Sequence, residues 1–301
     1  MRFLSVLGWV LRRSAGDCDD GRMLGTVAAL RRYPVKSMLG QDVDASDVTF
    51  TGLAGDRHLA VVSRSTGRIA SAKLPRRWRD LLTLSAAADE GAADGAVRIT
   101  LPEGTSVWSS DPAVDALLSD LLDEPVTLTA TPPPEAALDR AVPEAVLREG
   151  VEAQVPAELM EIGGGGPPGT FVDFAPLHLL TTSTLDQIAG LSPGGRADLE
   201  RYRPNIVVRT TAPGFAENGW LERILRIGDE VIVRVIARTP RCAVPVLAHG
   251  NLPRDPDALR ILARHNQVEP ADSLDPEPCA GVYAQVLRTG RIRTGDAVRL
   301  A

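Results

Sequence analysis

The sequence predicts a mainly β fold with some α, an α+β chain whose second half closes into a β-barrel. Three observations carry this reading. Short alternating or apolar runs are punctuated by turn residues along most of the chain. The run Val231 to Ala237 is rich in β-branched residues, which suit a pleated, half-buried surface. Finally, Arg226-Ile227-Gly228-Asp229-Glu230-Val231 and Arg293-Thr294-Gly295-Asp296-Ala297-Val298 echo each other as tight turns launching strands, as a closed barrel requires.

In chain order, strands are expected at Thr26 to Leu30, Val43 to Phe50, His58 to Ser63, Ile69 to Lys73, Val97 to Leu101 and Val126 to Thr129. Ser65-Thr66-Gly67 reads as a hairpin turn. A helix is expected after Asp111, which caps it while Pro112 takes the first helical position ahead of Val114, Leu117, Leu118 and Leu121. From Ala130 to Pro168 the texture changes to prolines, acidic fragments and glycines, which marks a linker. Beyond it come a strand at Leu177 to Thr181, a helix from Ser183 or Thr184, and strands at Ile206 to Arg209 and Leu225 to Ile227. Asp255-Pro256 opens a helix through Leu259 to Leu262, and Val282 to Leu287 with Val298 to Leu300 close the chain. The expected division is 1–22, a leader or over-extended start without fixed structure; 23–135, a first domain; 136–168, linker; and 169–301, a second domain.

Composition narrows the function. A formal net charge of −6 over 301 residues lacks the basic footprint of a polyanion binder, so no nucleic-acid partner is expected and any cationic site must be local. The apolar run Phe3 to Leu11 is too short to span a bilayer, so no transmembrane anchor is expected. Cys18, Cys242 and Cys279 are odd in number and far apart, which fits free thiols in a reducing, cytoplasmic setting and is too few for an iron–sulfur cluster. His58, His178, His249 and His265 lack the short spacings of a zinc site.

Several residues can carry chemistry. Cys242, in Thr239-Pro240-Arg241-Cys242-Ala243-Val244-Pro245, follows a confident strand, with prolines to stiffen its loop and Arg241 to favour its thiolate; a small buried thiol is the competing reading. Lys36 is one of only two lysines among 33 basic residues, and beside Ser37 it suits an oxyanion or phosphate, against a solvated turn charge. In Gly52-Leu53-Ala54-Gly55-Asp56-Arg57 a flexed turn can bring backbone N–H groups and Arg57 to one anion with Asp56 bracing the arginine, or simply join two strands. Arg203 and Asn205 can project from a rigid loop as an anion fork and an amide reader of a heterocycle. Thr182 and Ser183 lie at a helix start that either binds an anion or is merely capped. Cys279 reads as a buried thiol, or as a partner resolving an oxidised Cys242.

Taken together and in order, the Tyr33-Pro34-Val35-Lys36-Ser37 stretch, the Gly55-Asp56-Arg57 turn, Arg203-Pro204-Asn205 and Arg241-Cys242 resemble the MOSC family from Met23 to Ala301. They are most similar to its amidoxime-reducing members, mitochondrial and bacterial, with an N-terminal MOSC β-barrel domain before the MOSC β-barrel domain. The resemblance implies a molybdenum cofactor (molybdopterin with Mo) between the domains. Lys36, Ser37 and Arg57 would hold it from one side, Thr182, Ser183, Arg203, Asn205 and Arg241 from the other, and Cys242 would be the metal ligand and catalytic residue. It implies an oxidoreductase for small N-hydroxylated substrates, with electrons from a separate ferredoxin or flavin/cytochrome reductase. The alternative is a carrier delivering cofactor or persulfide sulfur, and family descriptions also attach pyridoxal phosphate binding. One departure is Pro240, where relatives often carry serine two places before the cysteine.

Overall fold

A computed structural model describes residues 21–89 and 95–301. The start segment up to residue 20, with Cys18, lies outside the described residues.

Seven strands close into a barrel in the order Leu177–Thr181, Ile206–Arg209, Met23–Arg32, Ala297–Leu300, Ile224–Ile227, Val231–Pro240 and Glu277–Arg288, the last pairing back onto the first. Pairing is antiparallel around the ring except between Leu177–Thr181 and Ile206–Arg209. A parallel pair needs a crossover, and the helix Thr182–Leu191 lies in that connection. Val231–Pro240 alternates buried and less buried residues along its length, the period-2 pattern of a strand with one face on a core. Val27, Leu179, Ile206, Val208, Leu225, Val233, Val235, Val282 and Val298 fill the interior.

The first strand among the described residues is therefore a stave of the barrel formed by the second half. It pairs with Ile206–Arg209 on one side and Ala297–Leu300 on the other. Nearby, Ala45–Thr49 pairs with Gly290–Arg293, and Val48, Leu53 and Ile292 join the barrel core.

The N-terminal part has its own core of Val35, Met38, Val61, Leu81, Leu84, Val97, Ile99, Leu118 and Val126. Around it stand the pair Ala60–Ser63 with Val126–Thr129, the three-stranded sheet Ser85–Ala88, Val97–Thr100 and Ser106–Trp108, and the helix Val114–Leu122. Asp111 accepts from the Ala113 N–H at 2.8 Å in the turn before that helix, but Ala113, not Asp111, holds the N-cap position, without a side-chain bond, and Val114 rather than Pro112 is the first helical residue.

Two sequence expectations need correction. The strand expected at Ile69 to Lys73 is only a single bridge from Ile69 to Val62. Ser71 turns the chain there, its hydroxyl accepting from the Lys73 N–H, and Pro75 opens the short helix Pro75–Trp78. The stretch read as linker is also structured: Ala137–Ala141 and Ala157–Glu161 form an antiparallel pair with the helix Pro143–Glu149 between them. Leu138 and Ala141 are fully buried, so two apolar anchors outweigh the proline- and glycine-rich composition around them.

Candidate functional site

The site forms where the end of the first strand meets the segment after the short helix Leu199–Tyr202. Asp56 is buried and accepts from the Tyr33 N–H at 2.8 Å, while the Arg57 N–H donates to the Tyr33 carbonyl at 2.8 Å. This clip brings the Arg57 guanidinium 4.8 Å from the centroid of the Tyr33 ring, with Arg203 over the same ring at 4.3 Å. Both arginines have left-handed backbones, φ 47° and 54°, a conformation that non-glycine residues adopt at a cost of about 1 kcal/mol or more. Tertiary contacts therefore hold them there.

The two arginines differ in what they still have to give. Arg57 pairs with Asp56 and donates to Asn205 Oδ1 and the Arg203 carbonyl, both at 3.3 Å. Burial works against its charge, but Asp56 and Tyr33 outweigh that and raise its pKa. Arg203 has both Nη1 and Nη2 buried without a partner. Burial lowers its pKa to about 10 against the pull of Tyr33, so it stays charged at neutral pH. A buried, charged, unpaired fork is costly unless something anionic or carbonyl-bearing meets it.

Asn205 does not reach outward. Its Oδ1 accepts from the His178 N–H at 3.1 Å and its Nδ2 donates to the Arg31 carbonyl at 3.3 Å, so the amide fastens two barrel strands. Lys36 is likewise engaged: its Nζ donates to the Phe171 carbonyl at 2.7 Å and to Asp173 Oδ1 at 2.5 Å, with Lys73 on Asp173 Oδ2 at 3.1 Å. Burial pulls Lys36 down to about 8 despite Asp173. Burial also opposes ionisation of Asp173, but Lys36 and Lys73 hold its pKa well below the ordinary carboxylate range.

Cys242 is 9% exposed and packs with Ala72, Leu82, Val244 and Leu247. Ser37 lies beside the same Ala72, its hydroxyl accepting from the Ala72 N–H at 3.2 Å, so the cysteine and the Lys36-Ser37 segment meet at one seam. Arg241 donates from Nη2 to the Tyr202 carbonyl at 2.9 Å and leaves its Nε buried without a partner. Burial raises the pKa of Tyr283, whose ring packs 5.6 Å from Phe174 and 5.8 Å from His178 between centroids. Cys279 is fully buried, and burial raises its thiol to about 12, so it is a neutral packing group.

The hydroxyls at the helix start turn inward. Thr181, the N-cap, accepts from the Thr184 N–H, and both threonines donate to the fully buried Glu217, Thr181 to Oε2 at 2.5 Å and Thr184 to Oε1 at 2.8 Å. Ser183 lies 3.0 Å from Thr181 Oγ1, and Thr182 is half-buried. The Gly281 N–H completes the Glu217 cage at 3.0 Å. Sequence reasoning missed Glu217, Asp173, His178 and the ring role of Tyr33. Only Tyr33, inside the quoted motif, left a local signal.

Five cations, Lys36, Lys73, Arg57, Arg203 and Arg241, thus face two carboxylates, Asp56 and Asp173, with unspent donors on Arg203 and Arg241. The charge and free N–H groups of this site suit an anion. Among the described residues no three His, Cys, Asp or Glu side chains converge, so a metal at Cys242 must arrive with most of its own ligands.

This fold and donor set define a two-part β protein with an anion seam. The chain belongs to the MOSC family: the MOSC domain model matches residues 167–299 and the MOSC N-terminal beta barrel domain model matches 24–125. It is similar to mitochondrial amidoxime-reducing component 1 of Homo sapiens, at 26% identity over 98% of this chain and 89% of that one. It is also similar to mitochondrial amidoxime reducing component 2 of Bos taurus, at 24% identity over 92% and 83%. Among solved structures, the YUAD protein from Bacillus subtilis is similar at TM-score 0.44 and 12% identity, over 93% of this chain and 97% of that one. Among the described residues no helix is long and apolar enough to cross a membrane.

Proposed function

We propose that this chain is a molybdenum-cofactor oxidoreductase that reduces small N-hydroxylated compounds, with Cys242 as the metal's protein ligand. The observation that carries the reading is the buried, unpartnered Arg203 fork on Tyr33, in a seam where cations outnumber carboxylates. The residues fit the group: Arg203 and Arg241 supply free N–H donors, and the free Cys242 supplies one soft sulfur. Lys36 and Arg57 contribute charge from the N-terminal side, and Ser37 shapes the wall beside Cys242. When bound, the cofactor supplies two-electron oxygen-atom chemistry at the metal.

The chain's own part is binding, orientation and dryness. The apolar side chains of Ala72, Leu82, Val244 and Leu247 flank Cys242 and leave it only 9% exposed. The Glu217 cage fixes the helix start that carries Thr182 and Ser183. Electrons would come from a separate ferredoxin or flavin/cytochrome reductase. Free, buried Cys242 and Cys279 suit a reducing compartment such as the cytoplasm.

Pyridoxal phosphate does not fit as a Schiff base: both lysines of the chain, Lys36 and Lys73, are paired with Asp173.

The test is elemental analysis for molybdenum in protein from a cofactor-competent host, with turnover of a hydroxylamine or amidoxime. Cys242→Ala should abolish turnover with an unchanged melting temperature. Retained turnover in that variant overturns the ligand role, and cofactor that loads but passes to an acceptor apoenzyme without turnover makes the chain a carrier.

A further inference from the structure

His249 lies in the same charged neighbourhood, and the family resemblance gave it no role. It is 2% exposed, in a turn bridged to Leu252 and pinned to the N-terminal part by the Gly250 N–H on the Leu82 carbonyl at 2.9 Å. The same loop is clamped from the barrel side by Arg201, which donates to the carbonyls of Leu247 at 2.9 Å and Pro253 at 2.7 Å. The ring is therefore held at the seam from both sides.

Its protonation pattern follows from one contact. Nδ1 lies 3.0 Å from the Leu247 carbonyl, which can only accept, so Nδ1 carries the hydrogen and Nε2 presents a bare lone pair. That Nε2 is buried and has no partner. Burial first, with the charges of Arg203, Arg201 and Arg241, lowers the ring's pKa to about 4, so it is neutral at physiological pH. Two of those arginines also carry unspent groups, Nη1 and Nη2 of Arg203 and Nε of Arg241. More than nine in ten buried polar groups are paired in folded proteins, and here a buried acceptor on His249 is left free within the electrostatic reach of two arginines with free donors, a combination that suits a ligand.

The kinds of atom left over describe that ligand. The arginines want acceptors, whereas His249 wants a hydrogen. A fully ionised phosphate has no hydrogen to give and would set an oxyanion against a lone pair. An edge that alternates carbonyl oxygen with ring or amino N–H satisfies all three.

We propose that His249 reads the heterocycle of the bound cofactor, its Nε2 accepting from a pterin N–H while Arg203 and Arg241 donate to the ring's acceptors. This rests on the molybdenum-cofactor reading above. His249 acts in binding and moves no electrons.

Two measurements test it. In protein labelled with ¹⁵N-histidine, the Nε2 resonance of His249 should move from the position of a free lone pair to that of a hydrogen-bonded one on loading. Loaded His249→Leu should release cofactor about tenfold faster than wild type, read as molybdenum and pterin fluorescence retained after gel filtration, whereas His249→Gln, which keeps an acceptor, should retain most of it. An unmoved resonance in loaded wild type overturns the proposal, as does equal retention in the leucine variant; a raised KM with full retention overturns it in favour of a substrate contact. Wild type that never loads instead removes the cofactor reading itself.

Discussion

The guanidinium of Arg203 lies over the ring of Tyr33, 4.3 Å from its centroid, and so joins the second half of the chain to the first. A desolvated cation–π contact contributes about 2 kcal/mol, and the Tyr33 hydroxyl adds a bond to the Pro204 carbonyl at 3.2 Å. Tyr33→Phe keeps the stack and should cost about 1 kcal/mol in denaturant melts. Tyr33→Leu should cost about 3 kcal/mol and lower cofactor occupancy as Arg203 loses its platform. Equal melts for the two variants would show that the ring does not position the arginine.

Lys36 is a tie as well as a charge. Removing its ammonium strips the Phe171 carbonyl and half the pairing of Asp173, which keeps only Lys73. Lys36→Met should therefore lower stability by about 2 kcal/mol in addition to weakening cofactor retention. A variant that melts like wild type, yet loads poorly, would assign Lys36 to the ligand alone.

Gly281 has φ +82°, and a Cβ there would lie 2.2 Å from His178 Nε2 and 2.6 Å from the Leu179 carbonyl. Neither neighbour can retreat, since His178 is buried against the Arg203 and Ala280 carbonyls. Gly281→Ala should cost about 3 kcal/mol or more, visible as a sharp drop in melting temperature. Little change would mean that the strand yields here more than its packing suggests.

Acid should weaken the fold through two histidines. Burial, aided by Arg241, lowers His178 to about 3, and burial with Arg203 lowers His249 to about 4. Both folded values lie below the unfolded value near 6.5, so the unfolded chain takes up protons first as pH falls. Their contribution is complete above about pH 6.5 and is lost between there and pH 4 to 3. Each should remove about 2 kcal/mol between pH 7 and 5. Paired melts at those pH values should show wild type losing about that much more than His249→Gln; a constant gap would contradict the buried, neutral ring.

What the sequence disclosed follows the range of the interactions involved. Val231–Pro240, Ile206–Arg209 and the helix Val114–Leu122 were visible because their signals, β-branching and apolar periodicity, are local, although Ala113 rather than Asp111 holds the helix N-cap. The pair Ala137–Ala141 with Ala157–Glu161 was hidden, because its stability comes from burying Leu138 and Ala141 against distant residues rather than from propensity. At the site, Arg57 and Arg203 were legible as charges in motifs. The saturation of Asn205 by the His178 amide and the Arg31 carbonyl was not, since both partners arrive only when the barrel closes. Glu217 carried no flag at all: a glutamate reads as surface until three donors converge on it.

The placement of Met23–Arg32 between Ile206–Arg209 and Ala297–Leu300 sets the order of events at birth. Met23–Arg32 is made well before either neighbour and must wait, with Val27 and Leu30 uncovered, until Ile206–Arg209 and then Ala297–Leu300 have followed. Pairings so distant in sequence form slowly, because the long loop must close before any contact rewards it. Deleting Ala297–Leu300 should therefore leave the barrel open beside Met23–Arg32 and a chain that chaperones retain.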